Sequence, residues 1–174
     1  MKIYTKTGDK GQTQIYTDQA IRMAKDAPVV ECYGTLDEVN AHLGLLASLL
    51  SPTEQSQLAL LATIQQRLFQ IGFAISATTT LAQTDVHTLE QSIDAMVAQI
   101  PAQTTFILPG GCQAAAQAHV TRTVTRRAER TMVALLNDYP VPELCLQYLN
   151  RLSDYLFVFA RWLNYHQGVA ETKV

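Results

Sequence analysis

The stretch from His119 to Leu135 constrains the fold more than any other. At about 3.6 residues per turn, Arg122, Arg126, Glu129 and Arg130 fall within about a quarter turn of one another, and Val120, Val124, Ala128, Met132 and Leu135 make the opposite stripe. Such a segment is an amphipathic helix with a core face and a cationic face. Arginines at successive i, i+4 spacings repel one another by a few tenths of a kcal/mol per pair. Glu129 alone does not balance Arg122, Arg126, Arg127 and Arg130. Three readings stay open: a solvated face, carboxylate partners on other segments, or a polyanionic ligand.

Four further segments carry helical periodicity. A capping box at Thr35 and Glu38 predicts a first helix from Gly34, with Leu36, Val39, Leu43, Leu46 and Leu50 as its apolar face. Asp37 falls in its first turn, where a carboxylate serves either the helix dipole or an arginine partner. Ser51-Pro52-Thr53-Glu54 predicts the start of a second helix through Leu58, Leu61, Ile64, Leu68 and Ile71 to about residue 76. A third is expected over about 86–100, with Leu89, Ile93, Met96 and Val97, and His87 read as a surface residue. The arginine helix spans about 113–137 and a fifth about 143–166. Short connections between five such segments give an all-α, five-helix up-and-down bundle.

The fifth segment is apolar almost all round, yet Asn150, Ser153, Asp154, Arg161 and Asn164 share a stripe with Phe157. A buried polar group costs about 1–3 kcal/mol when unsatisfied, so this stripe faces a partner helix or a wet cleft. Pairing of Asp154 with an arginine of the fourth helix is the structural expectation. Before the fourth helix, residues 102–111 read as an irregular apolar loop punctuated by Pro109, Gly110 and Gly111. Phe106 within it either plugs the core or meets a ligand.

Residues 1–33 are polar and glycine-punctuated, with Ile3-Tyr4 and Gln14-Ile15-Tyr16 read as short extended pieces. Between them Gly8 and Gly11, beside Lys6, Thr7, Lys10 and Thr13, suit an anion-binding nest or an ordinary solvated turn. The pattern is neither a Walker loop nor a dinucleotide fingerprint. Lys25 is placed to add charge to the same site.

At 174 residues the chain is of single-domain size. It divides into 1–33, the polar amino-terminal segment; 34–167, the bundle; and 168–174, a short tail. A net charge of −2 gives no global basic field for nucleic acid. Cys32, Cys112 and Cys145 are odd in number and far apart, which fits a reducing cytoplasm rather than a disulfide framework or zinc site, and Cys32 and Cys112 are read as loop residues. No uninterrupted apolar run approaches the ~18 residues of a membrane span. No paired-histidine, di-iron or nucleophile-elbow motif appears. The hydroxyls, amides and arginines that remain are consistent with positioning a nucleoside triphosphate, a site that would work by binding and orientation while another molecule supplies the reactive atom.

Five blocks, residues 2–11, 33–38, 106–111, 122–130 and 148–157, occur in the order found in the trimeric type of ATP:cob(I)alamin adenosyltransferase, which the chain resembles over nearly its whole length. The resemblance implies a homotrimer with sites between subunits, and transfer of the 5′-deoxyadenosyl group of ATP to cobalt of reduced cobalamin. It implies Thr5, Lys6, Thr7, Gly8, Thr13, Gln14, Lys25, Arg126, Arg127, Glu129, Arg130 and Asn150 around ATP and Mg²⁺. It also implies an Asp37–Arg122 salt bridge across the subunit interface and Phe106 crowding the lower axial face of the corrin. Ser153 and Asp154 fall on the corrin side. A reductase and an adenosylcobalamin-dependent acceptor enzyme are the implied partners. The implied location is cytoplasmic, a bacterial microcompartment included. Some members carry a longer tail over the corrinoid than the one ending at Val174. The reading of a different class is a carrier that holds ATP or adenosylcobalamin without catalysis.

Overall fold

The computed structural model describes residues 2–4, 6–16, 20–52 and 54–174. Two strands, β1 (Gln12–Tyr16) and β2 (Ala20–Ala24), precede five helices: α1 (Pro28–Ser48), α2 (Gln55–Ser76), α3 (Gln83–Val97), α4 (Gln113–Val133) and α5 (Glu143–His166). The strands form an antiparallel hairpin with Gln14 opposite Arg22 and Ile15 opposite Ile21. The expected extended piece at Ile3-Tyr4 is not a strand; Gln14–Tyr16 pairs instead with residues that sequence reading left as loop.

Helix α1 starts six residues before the predicted Gly34. Pro28 occupies its first turn, where a missing N–H costs nothing. Thr35 is therefore no cap: it is buried, donates to the Cys32 carbonyl oxygen at 2.9 Å and meets the Thr131 hydroxyl of α4 at 3.0 Å. Cys32 likewise sits inside α1 rather than in a loop, and its burial raises the thiol pKa to about 11. Cys112 is the N-cap of α4, its sulfur accepting from the Ala115 N–H at 3.4 Å. At Ser51–Glu54 half of the expected box forms, the Ser51 N–H donating to Glu54 Oε2 at 2.7 Å, but as a turn ahead of α2. Helix α3 opens at Gln83 with the Ala82 N–H on Asp85, three residues before the predicted start. The limits of α5 agree with the sequence reading.

Packing runs α2, α1, α4, α5, α3, so α4 has a helix on each side. That position widens its buried face to include Thr121 and Thr125, whose hydroxyls are satisfied by carbonyls one turn back at 2.8 Å. The wider face is centred on Thr121, Thr125, Ala128 and Met132, which turns Val120 outward, against expectation. The core is filled by Leu43, Leu61, Ile64, Leu89, Tyr148, Tyr155 and Phe159, all fully buried. By length and composition α2 could cross a membrane, contrary to the apolar-run reading, because its glutamines and Arg67 interrupt the run without lowering the mean hydropathy enough. Leu61, Ile64, Leu68 and Ile71 spend that apolarity on the core of the bundle.

Candidate active site

The cationic face of α4 is divided among several partners. Arg127 forms an ion pair with Glu38 of α1, and Arg130 Nη1 donates to the Arg126 carbonyl oxygen at 3.1 Å. Glu129 accepts from Asn150 Nδ2 of α5 at 3.0 Å, and the Asn150 carbonyl oxygen accepts from the Ser153 hydroxyl at 2.8 Å. Arg122 and Arg126 have no carboxylate partner among the described residues, and both line a cavity of about 650 Å³. Ser153, Asp154, Phe157 and Arg161 of α5 and Phe106 of the 98–112 loop form its other walls.

Within that cavity the Arg122 guanidinium lies 5.8 Å from the centroid of the Phe157 ring, a cation–π arrangement. Arg122 Nε is buried without a hydrogen-bond partner, and burial followed by repulsion from Arg126 lowers its pKa. His119, one turn earlier, packs edge-on against Phe157 with 6.1 Å between centroids, and neither ring nitrogen finds a partner. Burial, helped by Arg122, lowers its pKa to about 4, so the imidazole is neutral at ordinary pH. Arg122 and the Phe157 ring thus form one wall, with His119 buried behind the ring, while Phe106 stands 82% exposed at the mouth.

Asp154 does not pair with α4. Its carboxylate accepts from Arg151 Nη1 of its own helix at 2.7 Å, and Arg151 also holds Glu90 of α3 at 3.0 Å. The i,i+3 spacing puts Arg151 within easier reach of Asp154 than any arginine across the groove. His87 is a surface residue as expected, 3.0 Å from Glu90. Arg161, at the edge of the cavity, pairs with Glu171, and Asn164 meets the Gly110 carbonyl oxygen and the Cys112 N–H.

A second cavity, of about 460 Å³, lies in the hairpin and is lined by Thr7, Gly8, Gln12, Thr13, Gln14, Arg22 and Lys25. Five of the expected nucleotide ligands are brought together here. Lys6 has positive φ and flanks the same turn, and Thr5 lies outside the described residues. Gly11 adopts φ +74, so its carbonyl oxygen can accept from the Lys25 N–H at 2.9 Å and close the turn onto β2. Arg22 and Gln12 were missed by sequence reading; the pairing of Gln14 with Arg22 would have pointed to the former, had β2 been recognised. Arg22 donates to the Thr7 carbonyl oxygen at 2.5 Å.

Asp37 lines a third, apolar cavity with Tyr33, Leu36, Asn40, Leu68, Phe69, Gly72 and Phe73. Within one chain, then, Asp37 and Arg122 sit in different cavities, and the hairpin residues line a different cavity from Arg126. The described residues contain no group of three or more His, Cys, Asp or Glu able to cage a metal ion.

A family model described as cobalamin adenosyltransferase matches residues 3–163. A corrinoid adenosyltransferase of Bacillus subtilis is 44% identical over 99% of this chain and 92% of its own length. The corrinoid adenosyltransferase PduO of Salmonella typhimurium is 40% identical over 92% of this chain, which spans 49% of that longer protein. Among solved structures, a variant PduO-type ATP:corrinoid adenosyltransferase from Lactobacillus reuteri, complexed with cobalamin and ATP, superposes with a TM-score of 0.92 at 38% identity, covering 99% of this chain and 96% of that one.

Proposed function

The chain belongs to the cobalamin adenosyltransferase family, and we infer that it transfers the 5′-deoxyadenosyl group of ATP to the cobalt of cob(I)alamin. The observation that carries this reading is the α4–α5 cavity, where unpaired Arg122 and Arg126 share walls with Phe106 and Phe157. A polyanion and a flat hydrophobic macrocycle are the ligands such a lining suits.

Cob(I)alamin is itself the nucleophile, so the protein needs none. The cobalt electron pair forms the bond to C5′ of ATP, the C5′–O bond breaks, and triphosphate leaves with the electron pair of that broken C5′–O bond. What the protein supplies is placement and charge. Arg126 meets the negative charge developing on the leaving polyphosphate, and Arg130, held on the Arg126 carbonyl oxygen, extends the cationic edge. Thr7, Gly8, Thr13, Gln14 and Lys25 grip the nucleotide from the hairpin, with Lys6 in the same turn; Thr5 is assigned to the same site from the family resemblance alone. Arg127, Glu129 and Asn150 complete the set; Asn150 orients Glu129. Phe106 and Phe157 offer apolar surface to the corrin, with Ser153 and Asp154 beside them. An apolar side chain at the axial face keeps water and base off cobalt, which makes cob(II)alamin easier to reduce. Mg²⁺ fits as an ion carried by the triphosphate oxygens, which it usually keeps as ligands; no protein ligand is assigned to it.

The assembly reading is a homotrimer in which the hairpin of one copy faces the arginine helix of another. Its support is that the two half-sites occupy separate cavities of one chain, and that Asp37 lies beside the exposed Phe69 and Phe73. An Asp37–Arg122 bridge between copies would satisfy the buried Arg122 Nε. A reductase supplies the electron that makes cob(I)alamin, an adenosylcobalamin-dependent enzyme consumes the product, and the setting is the cytoplasm.

The test is anaerobic: protein, ATP, Mg²⁺ and chemically reduced cob(I)alamin, followed by visible absorbance. A light-sensitive alkylcobalamin formed with stoichiometric triphosphate is expected. ATP binding without turnover would overturn the enzyme reading in favour of the carrier.

A further inference from the structure

Phe106 has almost no packing of its own, yet its role demands a fixed position. The loop that carries it is fastened at both stems by α5. At the first stem Arg161 Nη2 donates to the Pro101 carbonyl oxygen at 2.9 Å. At the second, Asn164 Nδ2 donates to the Gly110 carbonyl oxygen at 3.0 Å and Asn164 Oδ1 accepts from the Cys112 N–H at 2.9 Å. Gly111 lies so close to this amide that a Cβ there would sit 2.0 Å from Asn164 Oδ1. The residues after α5 then return across the middle of the loop. The Leu108 N–H donates to the Thr172 carbonyl oxygen, the Val174 N–H donates to the Phe106 carbonyl oxygen, both at 2.9 Å, and Ile107 and Lys173 form an antiparallel bridge.

Among the described residues the strap's side-chain anchor on the bundle is Glu171, and the group it meets is again Arg161: Nε to Oε1 at 2.8 Å and Nη2 to Oε2 at 3.3 Å. Arg161 is 7% exposed. A guanidinium so far removed from water is costly unless its donors are used, and here one planar fork serves both the stem and the strap. A lysine could not serve both, because it lacks the fork.

We propose that Arg161 is a positioning residue for Phe106, clamping Pro101 and Glu171 so that the loop and the strap hold the ring at the mouth of the cavity. The clamp acts on the step starting from cob(II)alamin, since that is the step Phe106 serves. This inference rests on the role given to Phe106 above.

Glu171→Ala removes the strap anchor outside the bundle and leaves the helices intact; Arg161→Gln removes the clamp itself. Amide hydrogen exchange reads the clamp without any substrate. In both variants the Leu108 and Val174 amides should exchange at least about tenfold faster, while core amides of α4 and α5 keep their protection. Turnover should fall about tenfold from cob(II)alamin, in line with loss of a charged hydrogen bond, and stay within about twofold from pre-reduced cob(I)alamin. Combined with Phe106→Ala, neither change should lower turnover from cob(II)alamin further, because both act through one ring. Unchanged exchange at Leu108, equal losses from both cobalamin states, or additive losses with Phe106→Ala would each overturn the clamp. A wild-type chain that adenosylates neither form would instead sink the enzyme reading, and the exchange result would still decide whether Arg161 holds the loop.

Discussion

The two cavities offered to the ligands differ in what holds their walls. The hairpin cavity is a local product: one turn with Gly11 at positive φ, two five-residue strands and side chains within twenty residues of one another. The α4–α5 cavity is a long-range product, with walls from Val97 to Arg161 carried on helices whose other faces are core. On one side of it Arg122 Nε, and His119 packed behind Phe157, are buried without partners. A solvated cradle binds by adding weak contacts, whereas a desolvated wall makes each charge count for more. On the proposed function, the adenosyl donor is gripped in the local cavity and activated in the long-range one.

The strongest test of that division is Arg126→Ala. If Arg126 meets charge that develops only as triphosphate leaves, kcat should fall by at least about two orders of magnitude with KM for ATP nearly unchanged. Steady-state kinetics from cob(I)alamin checks this, and a rise in KM alone would move Arg126 to the gripping half.

His119, packed against Phe157, tests whether water reaches behind that wall. Its folded pKa, about 4, lies below the ordinary value of 6.5. Between those values the unfolded chain binds the proton and the folded chain does not, so stability rises with pH across that window and is lost on acidification towards 4. The drop attributable to His119 should be of the order of 2 kcal/mol. Urea unfolding at pH 6.5 and pH 4.5 should show a shallower loss in His119→Leu than in the wild type. Equal losses in the two proteins would mean that water reaches the ring.

Phe106→Ala comes next, since the exposed ring belongs to the cavity only through its loop. Turnover from cob(II)alamin should drop about tenfold or more and that from cob(I)alamin about twofold, a contrast that side-chain truncation at a merely structural position would not give. Equal losses from both starting states would take Phe106 away from the axial face.

How much of this was legible follows the same line between local and long-range. The amphipathic stripes placed all five helices, because Val124, Ala128, Met132 or Leu61, Ile64, Leu68 at helical spacing have no other way to be buried. That Thr7, Gly8 and Thr13 come together with Lys25 was legible for the same local reason. Helix starts were less so: Thr35 and Glu38 have the spacing of a capping box, but Pro28 opens the helix earlier and the hydroxyl goes to Cys32 and Thr131. Strand β2 escaped because five residues with Arg22 between Ile21 and Met23 carry too little alternation to be distinguished from loop. Which carboxylate each arginine takes was mostly not legible. Arg127 with Glu38 and Arg151 with Glu90 depend on the register between helices, which no spacing within one helix reveals; only Arg151 with Asp154, at i,i+3 on α5, had a local signal.

The smallest expected effect sharpens the gripping half. Lys25 lines the hairpin cavity, its N–H holds the Gly11 carbonyl oxygen, and its ammonium reaches within 3.4 Å of where a Cβ on Gly8 would stand. Lys25→Ala keeps the backbone bond and removes only the charge. Because that charge is exposed to water and screened by salt, its contact with phosphate should contribute about 1 kcal/mol or less. KM for ATP should therefore rise about threefold to fivefold with kcat preserved, and the rise should shrink as ionic strength increases. A fall in kcat as large as that of Arg126→Ala would show instead that the hairpin closes over the nucleotide in the reacting complex, and that the two cavities act as one.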